Sequence, residues 1–103
     1  MASMHEAARY VIPANVVCET LNDEMVLLNL DTGVYFGLNA SGVCVWEHLR
    51  REQHYESAVS ELCERARTPE PQVRRDVERL VVELTQHGLI READQSGSAP
   101  QTR

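Results

Sequence analysis

The sequence contains no lysine, so all 10 of its basic residues are arginines, against 16 acidic residues and a net charge of −6. Proteins that bind nucleic acids usually carry an excess of positive charge, because they displace counterions from phosphates. The opposite balance argues against a nucleic-acid partner. It is typical of a soluble acidic domain, and it favours neutral or basic partners.

Cysteine motifs and long hydrophobic runs are also missing. The three cysteines, Cys18, Cys44 and Cys63, are widely spaced and form neither a C-x-x-C pair nor a Cys/His zinc pattern. Cys44 and Cys63 fall on apolar stripes, which predicts small buried side chains. No secretory signal is recognisable, and no apolar run reaches the length of a membrane span. We therefore expect a cytoplasmic protein with no metal, no cofactor and no membrane span.

No catalytic motif is recognisable. The histidines have no ligand-like spacing, and two of them fall on polar helix positions, which predicts surface roles for His48 and His87. The serines lack the context of a nucleophile elbow. The glycines after residue 32 do not have phosphate-loop spacing, and no lysine is present to meet a phosphate. We therefore expect a protein that is not an enzyme.

The length of 103 residues suits one small domain. Aromatic residues are scarce at 5%, with Trp46 the sole tryptophan, so the core is expected to consist of Val, Leu and Ala. Pro13 and Asn15 mark a boundary. We expect a flexible N-terminal segment over 1–13, the domain over 14–91, and a disordered tail rich in Ser, Gly, Pro and Gln over 92–103.

Three short apolar segments follow the boundary, at 16–20, 24–30 and 34–38. Turn signals separate them: Asn22-Asp23 between the first two, and Asp31-Thr32-Gly33 between the last two, where Gly33 is able to take positive φ. Consecutive strands joined by short turns predict an antiparallel meander.

After residue 38 the apolar period changes from two to 3.6. Asn39 or Ser41 is expected to cap a first helix to about residue 50, and a second apolar stripe runs from Tyr55 to Ala66. Pro69 and Pro71 predict the start of a third helix. Its stripe comprises Val73, Val77, Leu80, Val81 and Leu84, and Gly88 ends it.

The predicted fold is therefore α+β: a three-stranded antiparallel β-meander followed by three α-helices, similar to a winged helix-turn-helix. That architecture serves DNA-binding and protein-binding domains alike, so it does not decide the function. The arginines of the third helix would face phosphates in a DNA-binding regulator. The acidic residues on the same helix count against this alternative.

Two features of the strands point to a partner. The second strand is apolar on both faces, whereas a sheet packed on one side usually alternates apolar with polar residues. Either the chain covers the second face or part of it binds a partner. The third strand, 34–38, is expected at the sheet edge, yet it carries no lysine, proline or inward charge to prevent pairing. Strand addition by a peptide uses such an edge.

Several segments resemble the PqqD-like family, closest to its stand-alone form in lasso-peptide biosynthesis. They are VLLNL (26–30), GVYFGLN (33–39), Gly42, WEHL (46–49) and the last helix with its Gly88-Leu89-Ile90 end. The resemblance covers about residues 14–91. It implies a RiPP recognition element that binds the leader of a ribosomally made precursor peptide as a further strand, and delivers it to a leader peptidase and a macrocyclase. A PqqD-type partner of a radical SAM enzyme in another peptide pathway is the alternative.

Carried onto this chain, the resemblance implies a leader-binding groove between the third strand and the third helix. The strand would contribute Val34, Tyr35, Phe36, Gly37 and Leu38, and the helix Val73, Arg74, Val77, Glu78 and Val81.

Overall fold

The computed structural model describes residues 9–93. In chain order the elements are β1 (Tyr10–Val11), β2 (Val16–Leu21), β3 (Glu24–Asn29), β4 (Tyr35–Leu38), α1 (Ala40–Glu52), α2 (Glu56–Ala66), α3 (Glu70–Gln86) and β5 (Arg91–Glu92). The predicted α+β fold, with three meander strands followed by three helices, is confirmed. Within the described range no helix is long and apolar enough to cross a membrane.

The meander is an antiparallel sheet in the order β2-β3-β4, so β3 is central and β4 lies at an edge. Leu27 of β3 lies opposite Cys18 on one side and Phe36 on the other. Gly33 takes φ +79° in the turn before β4, as its sequence context predicts. The short turns therefore determine the register and leave one side of β4 without a partner strand in the described structure.

The helix ends follow the capping signals. The Asn39 side chain accepts a hydrogen bond from the Gly42 N–H (2.9 Å), which starts α1 directly after β4. Pro69 precedes α3, and Pro71 lies in its first turn, where the missing N–H has no cost. Gly88 follows the end of α3 with φ +73°.

One core joins the inner face of the sheet to the three helices. Because opposed residues on antiparallel strands share a face, Met25, Leu27 and Leu38 point together toward the helices, and all are buried. The largest fully buried side chains are Trp46, Leu27, Leu49, Leu84, Leu89, Ile90, Val45 and Val59. Trp46, Tyr10 and Tyr55 are exceptions to the expected aliphatic character of the core, since all three are buried aromatic side chains.

The outer face of the sheet is not covered by the described residues. The side chains of Val17, Leu21 and Tyr35 are 44%, 53% and 71% exposed. One explanation for strands that are apolar on both faces was that the chain itself covers the second face. Residues 9–93 provide no such cover.

The ordered structure begins earlier than the expected boundary at residue 14. β1 pairs with β5 in a second, two-stranded sheet, and Tyr10 is buried against Tyr55 with ring centroids 6.2 Å apart. Two-residue strands have too few positions to show a period, so the sequence pattern did not reveal them. The rest of the expected flexible segment, 1–8, and the tail from 94 onward lie outside the described residues.

A buried asparagine connects the β3–β4 turn to the end of α3. The Asn29 Nδ2 group donates to the Gly88 carbonyl (2.9 Å), and Oδ1 accepts from the backbone N–H groups of Asp31 (2.9 Å) and Thr32 (3.1 Å). Oδ1 also accepts from the Asn15 side chain (3.0 Å). A Cβ atom on residue 88 would lie 2.9 Å from Asn29 Nδ2, so glycine is needed there for space as well as for φ.

A second polar contact joins α2 to α3. Arg74 donates two hydrogen bonds to the Glu56 carboxylate (2.8 and 2.9 Å) and one to Glu70 (2.7 Å). Arg74 does not pair with Glu78, one turn further along α3, because its guanidinium group bonds to Glu56 and Glu70. These bonds lower the pKa of Glu56, and burial opposes the shift only in part.

We expect Asn29→Ala to lower the free energy of unfolding by about 2–4 kcal/mol, because it leaves the Gly88 carbonyl and the turn N–H groups without their partner. Urea unfolding followed by circular dichroism measures this. Asp31→Ala, in the same turn, removes an exposed side chain and keeps the backbone N–H that bonds to Asn29, so it is the control and should change stability by less than about 0.5 kcal/mol. Equal effects of the two substitutions would contradict the role of Asn29.

We expect Glu56→Gln to destabilise the protein by about 0.5–1 kcal/mol at neutral pH, since both partners of this ion pair are partly exposed. The folded-state pKa of Glu56 is lowered, so its stabilisation is present above the unfolded-state pKa and is lost as the pH falls through the folded-state value. The difference from wild type should therefore vanish in acid. Glu64→Gln, on the same helix, is the control; a difference that persists in acid would refute the ion-pair explanation.

Candidate functional site

A cleft of about 560 Å³ lies between the β4 edge and α3, and we call it the β4–α3 groove. Its apolar floor comes from all three helices. The floor residues are Val45, Leu62, Val73, Val77 and Leu80. Most of them are buried, while Leu80 is half-buried and therefore still accessible to a bound molecule. A groove of this kind offers apolar contact area to a side chain that enters it.

The opposite wall is the free edge of β4. The Val34 carbonyl accepts from the Asn29 N–H (3.0 Å), so Val34 is bonded toward β3. Hydrogen-bonding directions alternate along an antiparallel strand, which turns the backbone N–H and C=O groups of Tyr35 and Gly37 away from β3. Those groups line the open side, next to the groove. They are positioned to pair with an added backbone.

Phe36 carries the inner side chain of this wall. It is half-buried and packs edge-on against the His87 ring at the end of α3, with centroids 5.3 Å apart. The Phe36–His87 contact joins β4 to the end of α3, next to Gly88, whose carbonyl bonds to Asn29.

The rim of the groove is polar and acidic. Asp76 and Glu83 of α3 line it together with Gln72, and none of the described lining residues is basic. Arg79 lies 3.8 Å from Asp76, but both side chains are more than 60% exposed, so the pair is well solvated. The groove therefore favours a neutral or basic guest over an anionic one.

The structure brings together five of the ten predicted site residues. The five that line the β4–α3 groove are Phe36, Gly37, Leu38, Val73 and Val77. The Tyr35 side chain points to the outer face of the sheet, and Val34 precedes β4, so these two contribute at most backbone atoms to the groove.

Three predicted residues lie away from the groove. Arg74 faces α2, and Glu78 accepts a hydrogen bond from the Tyr55 hydroxyl (3.1 Å). Val81 is buried beside a second hollow that Tyr10 and Tyr55 also line. The reason is helical periodicity. Positions 73, 77, 81 and 84 of α3 pack into the core. The row of residues on one side of this stripe faces the groove, and the row on the other side, which includes Arg74 and Glu78, faces away from it.

The groove-facing row of α3 comprises residues 72, 76, 80 and 83. Sequence reasoning counted Leu80 in the apolar stripe but did not assign Leu80, Asp76 or Glu83 to the groove. Their spacing of four, four and three marks one helix face. The sequence alone does not show which flank of the stripe adjoins β4. The floor residues Val45 and Leu62 were also not assigned to the groove, because they lie on α1 and α2.

The family model described as "Coenzyme PQQ synthesis protein D (PqqD)" matches residues 24–90. No curated protein matches the chain significantly.

The chain is also similar to a solved structure described as "TbiB1 in Complex with the TbiA(beta) Leader Peptide". The two are 34% identical with a TM-score of 0.71, over 86% of this chain and 98% of that one. Because the family model matches most of the described fold, this chain belongs to the PqqD family.

Proposed function

We propose that this chain binds the leader segment of a ribosomally synthesised precursor peptide, which adds as a strand beside β4 and places side chains in the β4–α3 groove. The observation that carries the proposal is the free β4 edge next to an apolar cleft. The similar TbiB1 structure, which is a complex with a leader peptide, supports it. The groove offers backbone bonds, apolar contacts and an acidic rim, which together suit recognition of a peptide.

The energetics of this binding mode permit capture and release. A flexible leader that becomes ordered loses about 2–5 kcal/mol of the gross interaction energy. Backbone bonds to Tyr35 and Gly37, with two or three side chains over Leu80 and its neighbours, are expected to leave a net free energy of about −8 to −11 kcal/mol, which corresponds to a Kd between roughly 1 μM and 10 nM. Such affinity allows the leader to be passed on.

The role we assign is delivery without catalysis, in the cytoplasm, to a leader peptidase and a macrocyclase of a lasso-peptide pathway. The resemblance of GVYFGLN (33–39) and WEHL (46–49) to stand-alone recognition elements supports this finer assignment. Neighbouring genes test it directly. A peptidase and a macrocyclase beside this gene support the lasso pathway, and a radical SAM enzyme would point to the PqqD-type alternative.

We expect Leu80→Gln to weaken leader binding about tenfold or more, because a half-buried apolar side chain on the groove floor becomes polar. Fluorescence polarisation with a labelled leader of the precursor encoded beside this gene measures the effect. Val82→Gln, on the same helix but 53% exposed and outside the groove, is the matched control and should stay within about twofold. If both variants bind as wild type, the groove is not the site.

We expect Tyr35→Pro to weaken binding at least tenfold, because proline removes the backbone N–H that faces the free side of β4. The fold should persist, since that N–H does not bond to β3. Tyr35→Val keeps the N–H and alters only the exposed side chain, so it should bind within about threefold of wild type. Circular dichroism verifies folding, and a folded Tyr35→Pro with unchanged affinity would exclude strand addition at this residue.

A further inference from the structure

A buried cluster of three potential metal ligands lies outside the groove. Cys44 and His48 are one helical turn apart on α1, and Glu61 faces them from α2; their ligand atoms all lie within 4.8 Å of one another. Cys44 and His48 are each 8% exposed. The prediction of a surface role for His48 is therefore wrong, because packing of α2 against α1 covers its side chain.

The polar contacts of His48 match those of a metal-binding imidazole. Its Nε2 atom lies 2.9 Å from Glu61 Oε1. Its Nδ1 atom is buried without a hydrogen-bond partner in the described structure, and the nearest carboxylate oxygen, on Glu52, is 3.9 Å away. A metal-bound histidine usually directs its second ring N–H to a carboxylate, and Glu52 is placed for that role.

The two carboxylate oxygens of Glu61 contact different neighbours. Oε2 accepts from Arg65, while Oε1 faces His48. A carboxylate ligand is commonly held in this way by an outer partner. Arg65 thus orients Glu61 and leaves Oε1 directed at the cluster.

We propose that Cys44, His48 and Glu61 bind a zinc ion. Sulfur, imidazole and carboxylate ligands all suit zinc, whose tetrahedral ligands lie about 3.3–3.6 Å apart at the usual bond lengths. The three ligand atoms now lie within 4.8 Å of one another, and zinc binding would move His48 Nε2 and Glu61 Oε1 slightly apart from their present 2.9 Å. The thiol releases its proton to solvent on binding, and the two anionic ligands balance the ion's charge.

Solvent can reach the three ligand residues, because they line an open cleft. A cleft of about 610 Å³ adjoins the cluster and includes residues of the β2–β3 turn, such as Asp23. It shares no lining residue with the β4–α3 groove. A zinc ion here joins α1 to α2 and stabilises the fold independently of leader binding.

Cobalt(II) titration of the metal-stripped full-length protein tests the proposal, because cobalt occupies zinc sites and gives a thiolate-to-metal absorption band. We expect a band that saturates at one equivalent and is displaced by zinc. Zinc at about 100 times its Kd should raise the thermal unfolding midpoint by about 10 °C or more. A missing band, or no rise with zinc, would overturn the proposal and leave His48–Glu61 as a structural hydrogen bond.

Variants assign the ligands. Cys44→Ser should abolish the cobalt band, and Cys63→Ser, on α2, is the matched control that should retain it. Glu61→Gln should weaken cobalt binding about 10-fold or more, and it remains informative if Cys44→Ser fails to fold, because Glu61 is only partly buried. A band that survives Cys44→Ser, or unchanged cobalt affinity in Glu61→Gln, would refute this ligand set.

Discussion

The groove depends on the hydrogen bond between the Asn29 side chain and the Gly88 carbonyl. Its two walls belong to different elements, the β4 edge and α3, and among the described residues β3 is the strand that joins β4 to the rest of its sheet. Asn29 holds the β3–β4 turn through the Asp31 and Thr32 amides and ties it to the end of α3. A buried amide with every group bonded is both stabilising and geometrically exact, because any shift leaves a polar atom unpaired. It therefore sets the distance between the walls.

An unprotected edge strand is a hazard, and this fold limits it. β4 has four residues, and α3 lies alongside it, so only a chain that also fits the groove gains contacts beyond the backbone bonds. Asp76 and Glu83 add an electrostatic condition, since they repel anionic segments. In the proposed binding mode, backbone pairing supplies affinity that is independent of sequence, and the floor and rim supply selectivity.

Each helix has a buried apolar stripe, and the residues on either side of that stripe face different surfaces. On α3 the stripe of Val73, Val77 and Val81 serves the core, and its two flanks face different surfaces: Leu80 the groove, and Glu78 the hollow beside Tyr55. On α1, Cys44 and His48 occupy a flank that α2 covers. A helix in a small domain can therefore present different polar residues on the two sides of its buried face. The way in which the neighbouring helices cross it decides which side stays exposed.

The sequence by itself determined the three meander strands, their turns, the approximate helix ends and the free edge, because these follow from local periodicity, proline and glycine geometry and short connections. The resemblance to the PqqD-like family led to the assignment of Phe36, Val73 and Val77 to a groove, and all three line the β4–α3 groove. Only the tertiary structure decided that Arg74 and Glu78 face away from the groove, whereas Leu80 and Asp76 face into it. It also decided that the strand of Tyr10 pairs with β5, and that His48 is buried beside Cys44 and Glu61. The physical reason is that periodicity defines the faces of a helix, whereas the angle and rotation at which helices pack define what each face meets.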